Sequence, residues 1–328
     1  MASSTPVCRP FFEGDERAIN LTFEKAFGIK RSLDEWAWKF PPGADGRAIM
    51  LTEQDGTVVA HCAGLPVNFS IDGKPRRAAR MVDVFCRPLN DSGSDRRGAL
   101  KQTIETFYRE FGSSGRFSLI YGFPGLHHSR FENVDSGDDA DLVQSVAAYV
   151  RKSTSPLSRH RLFYRAEPAR DWEPRLDDLW RRVCHDYPVA AVRDAKHALC
   201  RLAGQPSIRY NRFLVFPRTG SRAVAFAAFR SDGGCCRWVD LVWDHRHAGA
   251  LRLLSYLSAK IARQTDAEIE ELWLNGDPTG LAHMEAMGFQ KVDDSGVPVM
   301  VVRAFDHDLN PESLDQRIYV TMADADHV

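Results

Sequence analysis

The 328-residue chain lacks the features that mark membrane-spanning, secreted and disulfide-linked proteins. No apolar run approaches the roughly 20 residues that span a bilayer, and residues 1–10 lack the basic and then apolar pattern of a secretion signal. The seven cysteines include no Cys-x-x-Cys pair, and scattered thiols of this kind are typical of reducing compartments. We therefore expect a cytoplasmic protein that does not bind a membrane.

Several signatures of catalysis are also missing. The chain contains no Gly-x-x-x-x-Gly-Lys phosphate loop, no Gly-x-Ser-x-Gly nucleophile turn and no His-Glu-x-x-His metal helix. With 43 basic and 44 acidic residues, its formal net charge of -1 gives no argument for nucleic acid as a partner. These absences favour an activity that needs no metal. The 44% of hydrophobic residues is typical of a globular protein with a sizeable core.

One short pattern occurs twice in the chain. Val82-Asp83-Val84 precedes Gly98-Ala99-Leu100, and Val239-Asp240-Leu241 precedes Gly249-Ala250-Leu251. In each copy, a run of β-branched and aromatic residues leads through a loop containing arginine to apolar residues at helical spacing. A helix that begins at the glycine would present free backbone N–H groups to a ligand. This strand, loop and helix are typical of a phosphate-binding site.

The predicted elements around the two copies follow the same order, which indicates a duplicated fold. Each half begins with two helices, continues with strands joined at Asp-Gly or Gly-Gly turns, and ends with a main helix and further strands. In the first half, the main helix is predicted to begin at Gly98, and a late strand lies at 142–150. In the second half, the main helix is predicted over 249–265 and the final strand over 297–303.

The length and the repeat predict two domains. The junction falls in a stretch that contains Ser153-Thr154-Ser155-Pro156 and several arginines. These arginines are consistent either with a solvated linker, which we favour, or with an anionic partner. The predicted domains are therefore residues 1–155 and 173–328, joined by a linker at 156–172.

Several motifs carry a resemblance to a known family. The first half contains Trp36-x-Trp38-Lys39, the segment Val58-Val59-Ala60-His61, and Tyr121-Gly122-Phe123-Pro124 after the fifth predicted strand. The second half contains Gly288-Phe289 and the tail Tyr319-Val320-Thr321. With these motifs the chain resembles the GNAT superfamily of acyl-CoA-dependent N-acyltransferases, and more narrowly its bacterial tandem type. The resemblance implies an α/β (α+β) fold with two tandem GNAT-like domains, each a mixed, mostly antiparallel sheet flanked by helices.

The resemblance also implies where acetyl-CoA or another acyl-CoA would bind. In such folds the fourth and fifth strands diverge, the pantetheine arm lies between them, and the pyrophosphate rests on the loop before the main helix. In the first half, this implies a binding set on the fourth strand and the main helix: Val84, Phe85, Cys86, Arg96, Arg97, Gly98, Ala99 and Leu100. The first loop has Asp95 where the family has Arg or Gln, whereas the second keeps Arg246.

Candidates for proton transfer lie in the first half. His127 and His128 follow the fifth strand and can act near neutral pH, and Asp83 could accept a proton from an ammonium acceptor. Asp240 occupies the matching place in the second half, which favours a structural role for both carboxylates. In the second half, Met284 stands where the family often has a tyrosine acid. A thioether cannot transfer a proton, so the second half is expected to be degenerate.

The sequence therefore predicts an N-acyltransferase that acts on a primary amine of a small molecule by direct attack in a ternary complex. Two alternatives stay open: a non-catalytic binding or scaffold protein, and an enzyme whose donor is an acyl carrier protein docked at Arg96 and Arg97. The acceptor, the acyl length, the half that binds the donor and a homodimeric state are also left open.

Overall fold

The computed structural model describes residues 5–43, 46–87, 93–124, 141–153, 159–292 and 299–325, without the side chains of 93–97 and 159–160. In chain order, the helices are α1 (Glu16–Phe27), α2 (Leu33–Lys39), α3 (Gly93–Phe107), α4 (Arg175–Val183), α5 (Ala195–Ala198), α6 (Ala248–Gln264) and α7 (Pro278–Glu285). Within these ranges, no helix has the length and apolar character needed to cross a membrane.

The strands alternate with these helices along the chain. They are β1 (Val7–Pro10), β2 (Ala48–Gln54), β3 (Thr57–Ile71), β4 (Lys74–Cys86), β5 (Leu119–Gly122), β6 (Leu142–Ser145), β7 (Ala148–Lys152), β8 (Tyr164–Pro168), β9 (Val189–Ala191), β10 (Asn211–Pro217), β11 (Ala225–Asp232), β12 (Cys235–Trp243), β13 (Ile269–Trp273), β14 (Gln290–Lys291), β15 (Val299–Ala304) and β16 (Ile318–Tyr319). All seven cysteines are free thiols.

The chain forms two compact units, each built from segments that are distant in sequence. Unit 1 comprises Met1–Asn68, Arg76–Leu142 and Val301–Pro311. Unit 2 comprises Phe69–Pro75, Val143–Met300 and Glu312–Val328.

The sheet of unit 1 has the order β1-β2-β3-β4-β5-β15 and is covered on both faces. Ile49 and Leu51 pack with residues of α1 and α2, whereas Ala48 and Met50 pack with Phe107 of α3. A strand that is buried on both faces reads as a continuous apolar run, as β2 does. The predicted Asp-Gly turn before β3 is confirmed, since Asp55 and the glycine after it both have positive φ angles, of 49° and 71°.

The sheet of unit 2 has the order β14-β7-β13-β12-β11-β10-β8. Its helix α6 contributes buried leucines to the same core as the central strands. Edge strand β8 falls inside the segment 156–172, which we expected to be a linker, and it pairs antiparallel with β10. The linker was predicted from the several arginines of this segment. One of them, Arg165, lies in β8 and is ion-paired with Glu167. An edge strand is exposed enough to carry such charges.

Part of the last predicted strand of each half pairs in the sheet of the other half. The strand expected at 142–150 forms β6 and β7, and β7 pairs with β13 in unit 2 from Ala148 to Lys152. The strand expected at 297–303 is β15, and its residues from Val301 to Ala304 pair with β5 in unit 1. Apolar periodicity identifies a strand, but every free sheet edge offers the same backbone groups, so periodicity does not select the partner.

The predicted start of the first main helix is wrong. α3 begins at Gly93 rather than at Gly98, so Gly98 lies inside the helix on its exposed side. The second main helix, α6, begins at Ala248, next to the predicted start at Gly249. A glycine inside a helix lowers its stability but does not prevent the helix from forming. The glycine therefore identified the main helix in both copies, but it identified the helix start only in the second copy, at Gly249.

Two glycine substitutions in unit 1 test this packing and the helix position. A side chain at Gly112 would collide with the ring of Phe305, so Gly112→Ala should lower the free energy of unfolding by about 1–3 kcal/mol. Gly98→Ala meets no atom within 4 Å and should raise it by about 0.5–1 kcal/mol, because alanine is the better helix former. Urea unfolding measures both changes. A loss of stability in Gly98→Ala would contradict the helical position of Gly98.

Candidate functional site

Strand β4 extends beyond its neighbour β5. The parallel ladder between them runs from the pair Ala78 and Leu119 to the pair Met81 and Gly122, while β4 continues to Cys86. Pro124 follows the end of β5 and has no N–H group with which to continue the ladder. The ladder with β5 therefore ends before the last five residues of β4, the segment 82–86. The predicted binding residues Val84, Phe85 and Cys86 lie on this segment.

A bulge at Asp83 redirects this segment. Its φ of 49° lies in the left-handed region, which aspartate tolerates better than most residues with a side chain. Met81 and Val84 pack toward α3, whereas Val82 and Phe85 pack toward α1 and α2. Strict alternation would place Val82 and Val84 on the same face. The change of phase at Asp83 shows that one extra residue is accommodated there.

Asp83 is held by two cations. Arg31, between α1 and α2, is ion-paired with Oδ2, and Lys39 Nζ at the end of α2 lies 2.6 Å from Oδ1. The carboxylate side chain is 2% exposed. Both oxygens of the predicted base are thus engaged, and removal of this carboxylate would leave nearly buried cations uncompensated. This geometry favours the structural role that we considered for Asp83.

His61 holds the backbone at the same position. Its Nδ1–H donates to the Asp83 carbonyl oxygen at 2.7 Å, and its ring stacks on Phe85 with centroids 4.9 Å apart. Burial lowers the pKa of His61 to about 4, so the ring is neutral near pH 7. Sequence reasoning missed His61 as a site residue, although it ends the Val58-Val59-Ala60-His61 motif. The motif was recognised in the sequence, but nothing in the motif indicated that the His61 ring contacts Asp83.

The other predicted residues fall in different places. His127 and His128 lie outside the described residues, as do the side chains of Arg96 and Arg97. Gly98, Ala99 and Leu100 lie within α3, so their amides belong to the interior of the helix and donate to its own carbonyls. The free amides of this helix belong to its first turn, from Gly93 onward. Trp36 is buried in the core rather than in a cleft.

Unit 2 repeats the same strand arrangement. The parallel ladder of β12 with β13 ends at the pair Trp238 and Leu272, while β12 continues to Trp243. Asp240 on this extension is contacted by Arg193 Nε and His197 Nε2, each at 3.1 Å. Burial would raise the pKa of Asp240, but the charge of Arg193 and the hydrogen bond from His197 lower it to about 2.

The two arginines also have matching positions in the chain. Arg31 directly precedes Ser32, the N-cap residue of α2, and Arg193 directly precedes Asp194, the N-cap residue of α5. In each N-cap the side-chain oxygen accepts a backbone N–H of the helix, which fixes the entry of the chain. The helix start thereby positions the arginine that meets the carboxylate on the extended strand.

The chain itself fills the opening beside β12. The Tyr319 hydroxyl donates to the Leu241 carbonyl at 2.5 Å, and the Tyr187 hydroxyl both donates to and accepts from the backbone of Trp243 at 2.9 Å. Beyond β13, Asn275 and Val320 exchange backbone hydrogen bonds at 3.2 Å. The tail that contains β16 thus satisfies backbone groups that would otherwise be free for a ligand.

Two further observations concern the burial of Met284 and the side chains that could bind a metal ion. Met284, at the position where the resembled family often has a tyrosine, is fully buried in the core of unit 2. Among the residues that the structure describes, no group of three or more His, Cys, Asp or Glu side chains could hold a metal ion.

Buried His61 makes stability depend on pH. Because its pKa is about 4 in the folded state and near the ordinary value of 6.5 in the unfolded state, only the unfolded chain gains a proton between these values. The contribution of His61 to the free energy of unfolding should therefore fall by up to about 3 kcal/mol as the pH falls through this window, and this contribution changes no further below it. Urea unfolding across the window measures the loss.

His61→Asn is the matched control, since its amide can donate to the Asp83 carbonyl but does not titrate. The pH dependence of this variant should lack the step that the parent shows. An identical dependence in both proteins would contradict the assignment of the step to His61.

No protein-family model matches the sequence, and no curated protein matches it either. Solved structures do match. A GCN5-related N-acetyltransferase from Anabaena variabilis superposes with a TM-score of 0.69 at 11% identity, over 92% of this chain and 73% of that chain. A GCN5-related N-acetyltransferase from Kribbella flavida gives a TM-score of 0.64 at 13% identity, over 92% and 72% of the two chains.

A conserved protein of unknown function from Enterococcus faecalis, which carries the name Probable N-Acyltransferase, gives a TM-score of 0.68 at 12% identity, over 92% and 73% of the two chains. The predicted fold class, with two GNAT-like domains, each a mixed sheet flanked by helices, is confirmed. The resemblance implied that the fourth and fifth strands diverge, and in both units the longer strand, β4 or β12, continues past the end of its parallel ladder. The chain has the fold of the GCN5-related N-acetyltransferases, the GNAT fold.

Proposed function

We propose that unit 1 transfers an acetyl or another acyl group from an acyl-CoA thioester to the primary amine of a small molecule. The observation that carries this proposal is the contrast between the two extended strands. The segment 82–86 of β4 lies beyond the ladder with β5, whereas the corresponding part of β12 is hydrogen-bonded by tyrosines of the same unit. The names of the structural neighbours support acyl transfer as the reaction class.

The proposed donor suits the backbone of β4. The pantetheine arm of CoA contains amides, and an extended ligand with amides can add to a free strand edge through main-chain hydrogen bonds. Val84 and Phe85 would supply these groups, and Cys86 follows them on the same strand. An N–H of this segment that points at the thioester oxygen would stabilise the negative charge that develops there during attack by the amine.

The start of α3 is the proposed site of the pyrophosphate. Free N–H groups at a helix N-terminus attract anions through their partial positive charge. In α3 these groups belong to the first turn from Gly93. Arg96 and Arg97 follow directly in the sequence and would add charge-assisted hydrogen bonds to phosphate oxygens.

Unit 2 offers a poorer anion site, although its loop keeps Arg246 at the position where the resembled family has Arg or Gln. Arg246 precedes α6, but its guanidinium Nη2 lies 2.7 Å from Asp244 Oδ2. Asp244 is nearly buried and also lies 3.6 Å from Arg182, so the cations near this helix start are already paired with a carboxylate. We therefore assign the donor to unit 1 and a supporting role to unit 2.

Direct attack requires that the acceptor ammonium lose a proton before it reaches the thioester. Asp83 is a weak candidate for this step, because both of its oxygens are ion-paired. His127 and His128 follow β5 in the sequence and are the proposed groups for proton transfer. A covalent intermediate is not required by this reaction, although Cys86 lies on the extended segment.

Isothermal titration calorimetry with acetyl-CoA tests the assignment to unit 1. We expect one molecule bound per chain, and a loss of affinity of about tenfold or more in Arg96→Ala/Arg97→Ala, because each charge-assisted contact contributes about 1.5–3 kcal/mol. Arg246→Ala is the matched control and should change the affinity by less than about twofold, since its charge is already used by Asp244.

The opposite pattern, in which Arg246→Ala weakens binding and the double variant does not, would move the donor site to unit 2. Failure of acetyl-CoA to bind at millimolar concentration, combined with normal binding of an acyl carrier protein, would replace CoA as the donor. If neither binds, the non-catalytic alternative stands.

A further inference from the structure

The matching arginines of the two units have different partners. In unit 2, Arg193 meets two carboxylates: Nε lies 3.1 Å from Asp240 and Nη2 lies 2.5 Å from Asp324. Asp324 belongs to the tail segment that also carries Tyr319, the residue that fills the opening beside β12. The tail therefore brings both a hydroxyl and a carboxylate into the place beside the extended strand.

Among the residues that the structure describes, Arg31 in unit 1 meets one carboxylate. Its Nη1 is paired with Asp83, and its Nε donates to Asn20 Oδ1 at 2.8 Å. The remaining nitrogen, Nη2, is buried and has no hydrogen-bond partner among the residues that the structure describes. The side chain as a whole is 8% exposed. An unpaired guanidinium N–H in such surroundings is costly, and a carboxylate is its best-fitting partner.

The surroundings of this nitrogen are apolar and aromatic. The Arg31 guanidinium lies over the Phe23 ring at 4.1 Å. The ring centroid of Phe85, on the extended segment of β4, lies 5.8 Å from that of Phe23 and 5.7 Å from that of Phe27. Phe27 remains 44% exposed, so this aromatic cluster reaches the surface. A ligand whose carboxylate paired with Arg31 could place an apolar body against these rings.

We propose that Arg31 forms a carboxylate subsite in unit 1, in which a ligand carboxylate takes the place that Asp324 takes beside Arg193 in unit 2. We further infer that this ligand is the amine acceptor, and this step rests on the proposed acyl transfer. The acceptor is then an amine that carries a carboxylate on an apolar or aromatic body, as in an amino acid. The extended strand beside Arg31 is the same β4 segment proposed to hold the donor.

Equilibrium binding of 3-phenylpropionate, an aromatic carboxylate without an amine, tests the subsite separately from any reaction. Its uncharged match is 3-phenylpropionamide. We expect the carboxylate to bind at least about tenfold more tightly than the amide, because a hydrogen bond to a charged group contributes more than one to a neutral group.

Two variants test whether Arg31 is responsible. Arg31→Lys keeps a cation for Asp83 but loses the forked guanidinium, and it should weaken 3-phenylpropionate at least about tenfold. Asn20→Asp leaves Arg31 in place but puts a second carboxylate against it, and it should weaken the same ligand without loss of the fold. Arg47→Lys is the control, since Arg47 pairs with Glu13 elsewhere in unit 1 and should leave binding unchanged.

Equal binding of the carboxylate and the amide, absence of binding by either probe, or insensitivity to both Arg31→Lys and Asn20→Asp would overturn the subsite. Circular dichroism melting shows whether Arg31→Lys is folded, and Asn20→Asp decides the question if it is not.

The transfer assay separates this inference from the proposed function. Release of free thiol from acetyl-CoA is followed with phenylalanine and with phenethylamine, which lacks the carboxylate. A higher kcat/KM for phenylalanine, lost in Arg31→Lys, supports the subsite. Turnover that favours phenethylamine would overturn it while retaining acyl transfer, whereas Arg31-dependent binding of 3-phenylpropionate without acetyl-CoA binding would retain the subsite and reject the proposed function.

Discussion

A buried carboxylate on the extended strand of each unit, β4 or β12, paired with an arginine that precedes a helix N-cap, is the interaction on which both candidate sites depend. In unit 1, Asp83 is paired with Arg31, and in unit 2, Asp240 is paired with Arg193. The pair ties a helix start to the strand at the point where the strand leaves its parallel neighbour. Because breaking a buried ion pair leaves a charge uncompensated, this contact holds the opening between the strands in one geometry.

The two units use that opening differently. In unit 2, the tail supplies Tyr319 to the strand backbone and Asp324 to the arginine, so the polar groups of the opening are satisfied within the chain. In unit 1, Arg31 Nη2 lacks such a partner among the described residues, and the backbone of 82–86 lies beyond the ladder with β5. The two units thus share the anchor and differ in the groups that complete it, and this difference is the basis for proposing the ligand site in unit 1.

Some predictions from the sequence were right because they depend on local chemistry. The Asp-Gly turn at Asp55 and the start of α6 next to the predicted Gly249 follow from residues that are neighbours in the chain. Other predictions were wrong or incomplete because they depend on distant residues. The strand at 142–150 was identified, but its pairing with β13 was not, and His61 lay in a recognised motif without any sign that its ring contacts the Asp83 carbonyl.

The sequence by itself determined the order of elements and the two matching aspartates, since periodicity and turn residues act over short stretches of chain, and its motifs carried the resemblance that implied the GNAT-like fold class. Only the tertiary structure decided which sheet each last strand joins, where α3 begins, and which polar groups meet Asp83 and Asp240. These are outcomes of long-range pairing between groups that look alike in sequence. Among the described residues, Arg31 has one carboxylate partner and Arg193 has two. The sequence alone does not distinguish these two arginines, because their partners are distant in the chain.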